Sequence, residues 1–135
     1  MIKIIGKTTN KRSIERSAKL LAGHLKIDED VNIMFMEHES TDKYGFAAEI
    51  LGTKYICLFK GCPDEELNRV ISHEMIHVHQ MVRGDLVFDH DNMIFTWKGD
   101  KYNRKRLDTM SYYDRPWEDE AKKLEKKLAS DFFMS

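Results

Sequence analysis

The spacing of apolar positions changes several times along the chain, and each change marks an element. Ile2 to Ile5 form a short apolar run closed by Gly6, which predicts a first strand. From Lys11 to Leu25 the apolar residues Ile14, Ala18, Leu21, Ala22 and Leu25 fall at helical spacing. Val31, Ile33 and Phe35 then alternate with Asn32, Met34 and Met36, the period-two pattern of a strand. Tyr44 to Leu51 and Lys54 to Lys60 read as two more strands, joined through Gly52 and Thr53 as a hairpin. Pro63 and Asp64 open a second helix, with Asp64, Glu65 and Glu66 placing negative charge at its N-terminus. Its stripe is Leu67, Val70, Ile71, Met75, Val78 and Val82, and Gly84 is placed to cap its end. The pattern is weakest over residues 85–114, where Met93 to Trp97 and Lys101 to Asn103, around Gly99, suggest a second hairpin. Pro116 starts a last helix with the stripe Trp117, Ala121, Leu124, Leu128 and Phe132. The order β-α-β-β-β-α, a small hairpin and a final α predicts an α+β domain with a mostly antiparallel sheet.

Composition narrows the class further. The 135 residues are about one domain's worth, and no Gly/Ser-rich or Pro-rich linker divides residues 1–135. Lys and Arg number 22 against 23 Asp and Glu, a net charge of −1, which argues against a protein that holds nucleic acid by bulk positive charge. Apolar residues at 41% are enough to fill a modest core, so a disordered acidic or basic tail is excluded. The longest apolar run, Tyr55 to Phe59, falls far short of the roughly 20 residues of a membrane span. The start, MIKIIGKTTNKR, carries no secretory apolar segment, and Cys57 and Cys62 form neither a CxxC pair nor a disulfide framework. The expectation is a soluble, cytoplasmic, single-domain protein without a membrane partner.

The chemistry is concentrated in the second helix, at His73-Glu74-Met75-Ile76-His77. Four residues make just over one helical turn, so both imidazoles project from one side about a turn apart. Two nitrogens so placed can share one Zn²⁺ at roughly 2.0–2.1 Å each. Glu74, one step along, is set to act on water as a general base and not as a ligand. Both histidines lie off the apolar stripe, as ligands facing a cleft should. At this chain's own frequencies of His and Glu, HExxH arises by chance in roughly two of a hundred such chains. His24 and His38 belong to no such pattern.

A catalytic zinc needs a third protein ligand and an open fourth position. The residues offer Glu118 or Glu120, in Arg115-Pro116-Trp117-Glu118-Asp119-Glu120-Ala121, and also His90, in Asp89-His90-Asp91. Helical phase does not separate Glu118 from Glu120, since both flank the stripe of the last helix.

HEMIH on one helix, followed by a later helix with ExxA, resembles the gluzincin branch of the zincin metallopeptidases. More closely it is similar to very small, often phage-encoded zincin-like proteins with an HEMIH…PWExEA pattern. The likeness covers residues 64–130. It implies a minimal zincin fold, a twisted, mostly antiparallel sheet packed on the HExxH helix, with the C-terminal helix supplying the third ligand. It also implies Zn²⁺ as cofactor, Glu118 as third ligand and Ala121 as the point of close helix packing. For a phage-encoded protein the compartment would be the host-cell cytoplasm. The Asp that often follows the Ala in gluzincins is replaced by Lys122, so another group must orient the ligand histidines; Asp119, Asp114 or a backbone carbonyl are the candidates. The alternative ligand His90 resembles the SprT-like proteases, which act on DNA-associated proteins. There the ligand is part of a His-Gly pair, whereas Asp91 follows here.

The implied function is zinc-dependent hydrolysis of peptide bonds, with Glu74 as general base and a peptide or protein as substrate. Tyr112, Tyr113 and Arg115, just before the last helix, are the nearby cluster suited to stabilising an oxyanion. An extended substrate would pair with an exposed edge strand, Tyr44 to Leu51 or Lys54 to Lys60. Of the basic runs, Lys101–Arg106 offers Arg104, Lys105 and Arg106 as phosphate contacts for a protease acting on DNA-bound proteins, while Lys122–Lys127, interleaved with Glu118, Glu120 and Glu125, is expected to be a solvated helix face. The competing expectation is a non-catalytic zincin-fold binding or regulatory module.

Overall fold

The computed structural model describes residues 1–6, 8, 10–39 and 43–128. Phe132 and the side chain of His38 lie outside the described residues. The elements are β1 (Ile2–Ile5), α1 (Lys11–His24), β2 (Val31–Glu39), β3 (Gly45–Ile50), β4 (Thr53–Lys60), α2 (Asp64–Val82), β5 (Leu86–Asp89), β6 (Ile94–Trp97), β7 (Asp100–Tyr102), α3 (Arg104–Leu107), a 3-10 turn (Tyr112–Asp114) and α4 (Pro116–Leu128).

The chain is α+β, but its main sheet is not mostly antiparallel. Strand order is β1-β2-β4-β3, with β1/β2 and β2/β4 parallel and only β3/β4 antiparallel. The reason lies in the connections. Helix α1 carries the chain from β1 back to a parallel β2. The tight β3–β4 turn, with Leu51 at φ 50° and Gly52 at φ 82°, then folds β4 between β2 and β3. Period-two alternation does not encode strand direction. The unbroken run Tyr55–Phe59 was the available signal, because a central strand covered on both faces loses its polar alternation. Ile56, Leu58 and Phe59 are all buried. As an interior strand, β4 also offers no edge to a substrate; β3 is the edge strand.

A separate antiparallel sheet, β5-β6-β7, occupies residues 86–102. The hairpin expected there is its β6–β7 half; β5 is the strand the weak pattern hid. Helices α1 and α2 pack on the main sheet through Ile14, Ala18, Leu21, Val70, Ile71 and Met75, joined by Ala121 and Leu128 of α4. A second cluster, Leu86, Trp97, Tyr102, Leu107 and Trp117, ties the small sheet to the start of α4. Trp117 is its centre, stacked on Phe95 at 5.1 Å and edge-on to Tyr102 at 5.1 Å. Among the described residues no helix is long and apolar enough to cross a membrane.

Two terminations position the site. Helix α2 ends in a Schellman arrangement: Asp85 N donates to Gln80 O and Gly84 N to Met81 O, with Gly84 at φ 82°. Helix α4 begins at Pro116, whose fixed φ and missing N–H suit a first helical position. Glu118 therefore sits in the first turn of α4, two residues past that start, and is buried.

Candidate metal centre

His73 and His77 lie on the face of α2 that α4 covers, and their Nε2 atoms come within 3.2 Å of each other. The Glu118 carboxylate meets both, with Oε1 2.5 Å from His77 Nε2 and Oε2 3.6 Å from His73 Nε2. His73, Glu74 and His77 each offer a ligand atom within 4.8 Å of the others, a group that can hold a metal ion. Glu118, then, and not Glu120, is the carboxylate brought to the histidines. Glu120 instead accepts from Gln80 and from Arg83.

The donor set suits a divalent ion such as Zn²⁺. Two bonds of 2.0–2.1 Å meeting at a tetrahedral angle separate their donor atoms by about 3.3 Å. The 3.2 and 3.6 Å spacings lie close to that value, while the 2.5 Å between His77 Nε2 and Glu118 Oε1 is a direct contact that an ion between the two would have to widen. Glu118 Oε2 is also buried without a hydrogen-bond partner among the described residues, an acceptor facing the two imidazoles.

The outer nitrogens of both rings are held. His77 Nδ1–H donates to Gln80 Oε1 at 2.7 Å, and His73 Nδ1–H donates to Glu125 Oε2 at 3.1 Å. Each bond fixes the ring and leaves Nε2 facing the carboxylate. Gln80 is wholly buried, and its Nε2 donates to Trp117 O at 3.0 Å and to Glu120 Oε1 at 3.2 Å. The amide's orientation follows, because both acceptors lie on its NH₂ side and its oxygen must face His77. Gln80 and Glu125 thus do what was expected of Asp119, Asp114 or a backbone carbonyl; Asp119 pairs with Lys123. Gln80 was legible as a polar residue one turn beyond His77, on the histidine side of the helix. Glu125 becomes a partner only once α4 is docked.

Electrostatics bind the cluster. Burial opposes charge on His73, but the carboxylates of Glu118 and Glu125 outweigh it and raise its pKa to about 10. His77 is raised by the same Glu118 against a similar burial cost. Burial would raise Glu118, yet its contacts with His73, His77 and Tyr112 hold it well below the usual carboxylate range. Burial pushes Glu74 up, partly offset by the two histidines.

The centre lies on an open cleft of about 1400 Å³ between β3, α2, the 3-10 turn and α4. Tyr112, Tyr113 and Arg115 all line it. Burial and the adjacent Glu118 carboxylate raise the Tyr112 pKa, so its hydroxyl stays a proton donor. Arg115 stacks 5.4 Å over the Tyr112 ring, and its Nε is buried without a partner among the described residues. Tyr113 is more than half exposed and its ring carries the Lys122 ammonium at 4.9 Å. His90 sits in the β5–β6 turn and hydrogen-bonds the Glu49 carbonyl on β3 at 3.2 Å, so it takes no part in the centre.

The edge of β3 borders the same cleft. Tyr44 O accepts from Phe59 N, so by antiparallel alternation the backbone groups of Gly45, Ala47 and Glu49 point outward. His90 occupies Glu49 O, which leaves Gly45 and Ala47 as the outward rungs with no backbone partner among the described residues, on the cleft that Glu74 also lines. Cys57, buried on β4, and Cys62 are both free thiols.

No family model, curated protein or solved structure matches this chain.

Proposed function

We propose that this protein is a zinc-dependent metallopeptidase of minimal, gluzincin-like zincin type. The observation that supports it most is the meeting of His73 Nε2, His77 Nε2 and the Glu118 carboxylate at one point, with Glu74 beside them in an open cleft. Two imidazoles and one carboxylate are a known ligand set for catalytic zinc, which keeps a further position for water or substrate. Held there, Zn²⁺ would supply Lewis-acid polarisation of a carbonyl and a more acidic water.

The remaining work falls to side chains. Glu74 takes the proton of the attacking water and delivers it to the leaving amine; burial, by raising its pKa, favours that exchange near neutral pH. Tyr112 O–H and the Arg115 guanidinium are the donors placed to steady negative charge on the carbonyl oxygen. Gly45 and Ala47 hold the substrate by strand addition, fixing the scissile bond over the centre. Tyr113 shapes the rim and takes no direct part.

The test is zinc content and peptide hydrolysis of the purified chain, beside Glu74→Gln, His77→Ala, Glu118→Ala and Glu120→Ala. The expected result is about one zinc per chain, lost in His77→Ala and Glu118→Ala, retained in Glu120→Ala and Glu74→Gln, with hydrolysis abolished in Glu74→Gln. Zinc bound without hydrolysis of any peptide would leave a binding module and overturn the enzyme reading.

A further inference from the structure

The cleft's charges are unevenly compensated. Two of the four carboxylates lining it are engaged near the centre, Glu118 with the histidines and Glu125 with His73 and Arg69; Glu74 is buried beside them and Glu65 lies at the start of α2. Of the cations lining it, Arg69 is paired with Glu66 and Glu125. Lys43, Arg115, Lys122 and Lys126 have no carboxylate partner among the described residues. Three of these four are held over aromatic faces, Lys43 at 5.1 Å over Phe46, Arg115 over Tyr112 and Lys122 over Tyr113. An aromatic face positions a cation without using up its hydrogen-bond donors. Lys43 also lies near enough to the centre to favour the charged form of Glu74.

The arrangement along α4 is directional. Glu118, Lys122 and Lys126 follow one another at four-residue steps on the face that borders the cleft. Each step advances about 6 Å along the helix, and an extended peptide covers that distance in about two residues. A low-dielectric cleft concentrates the field of such uncompensated charges, even on a chain whose net charge is −1.

We propose that the cleft selects acidic polypeptide segments, with substrate carboxylates read by Lys122 and Lys126 along α4 and by Lys43 from the β3 side. This rests on the peptidase reading for what happens at the centre, and it names the substrate class. The preferred acidic residues fall about two and four positions to one side of the scissile bond.

Binding tests this apart from turnover. Zinc-loaded Glu74→Gln protein is titrated, by fluorescence anisotropy, against short labelled peptides of one scaffold bearing Glu, Gln or Lys at alternate positions, and against a single-stranded oligothymidylate. The Glu peptide should bind at least roughly tenfold tighter than the Lys peptide, with the Gln peptide between, and the gap should narrow as salt rises. Lys122→Glu/Lys126→Glu should abolish or reverse that order with zinc content unchanged, whereas Lys127→Glu, outside the cleft lining, should keep it. Equal binding of the three peptides, no binding, or an order that survives the double reversal would overturn the proposal. So would an oligonucleotide that binds as tightly as the Glu peptide, since the cations would then be reading phosphate. A Glu preference in a protein whose wild type cleaves none of these peptides would sustain the charge reading and sink the peptidase reading alone.

Discussion

Gln80 is fully buried, yet its amide is satisfied on both sides, by His77 on one and by Trp117 O and Glu120 on the other. One side chain therefore orients the imidazole of a candidate metal ligand and grips the backbone next to Glu118, 37 residues along the chain. Gln80→Leu roughly keeps the volume but leaves His77 Nδ1 unpaired and removes the side-chain contact to Trp117 O. Zinc affinity, measured by competition with a chromophoric chelator, should fall about 10–100-fold with the helical circular dichroism kept. Gln80→Glu should also weaken binding, although a carboxylate is the stronger acceptor, because it would turn an oxygen toward Trp117 O and Glu120 with no donor between. Tighter zinc binding in Gln80→Glu would show that acceptance from His77 is all that matters. The same cluster sets a pH dependence. In chelator-stripped protein His73, raised from its ordinary 6.5 to about 10, contributes stability below pH 6.5 that is lost as pH climbs through 10. Zinc has to displace that proton, so its affinity should rise with pH over the same range, and calorimetry in buffers of different ionisation enthalpy should detect proton release on binding.

At the scale of elements, the hairpin β3–β4 is set against α2 so closely that residue 45 has no room for a side chain. A Cβ there would lie 2.8 Å from the Cys57 carbonyl and 3.2 Å from Val70 and Leu58. Gly45→Ala should therefore cost about 1–3 kcal/mol in urea unfolding and displace the edge rungs on the cleft. Gly23, in α1, has open space around its Cα, so Gly23→Ala should be neutral or stabilising by up to about 1 kcal/mol. A smaller loss at position 45 than at position 23 would contradict this packing. Much of this layer was legible in the residues: α1, α2 and α4 follow from their stripes, and HExxH announced its own face of α2. Strand direction was not, because Val31–Phe35 and Tyr55–Phe59 alternate or saturate in the same way whichever way a neighbour runs. β5 was hidden for a related reason. Leu86-Val87-Phe88 is too short to show a period, and Val87 remains half exposed. The sequence also left Glu118 and Glu120 equivalent. What separates them is Trp117, which anchors the start of α4 in the second cluster and so decides which carboxylate meets the two imidazoles, Glu120 falling beside Gln80 instead.

The whole molecule is two packed units joined at the centre. Helix α2 belongs to the main core, while the start of α4 is fixed by Trp117 among Leu86, Trp97, Tyr102 and Leu107 of the smaller cluster. His73 and His77 come from the first unit and Glu118 from the edge of the second, so a metal at that point staples them together. Binding to the folded state alone adds stability by mass action, about 2.7 kcal/mol when free zinc is a hundredfold above its dissociation constant. That gain should not be spread evenly. The main sheet is closed by β2 and β4 whether or not metal is bound, whereas the docking of α4 on α2 combines the apolar contacts of Ala121 and Leu128 with the polar ones of Glu118, Glu120 and Glu125, and only the polar ones respond to the metal. Hydrogen exchange followed by mass spectrometry should thus show a regional response. On chelation, protection should fall across β5 to α4, residues 86–128, by more than tenfold, while β2 and β4 change little. In Glu118→Ala, which keeps both histidines but severs the link between the units, the same region should exchange fast with zinc present. Uniform deprotection of the whole chain on chelation would mean instead that the two clusters unfold as one body, and that zinc holds up the main core as well as α4.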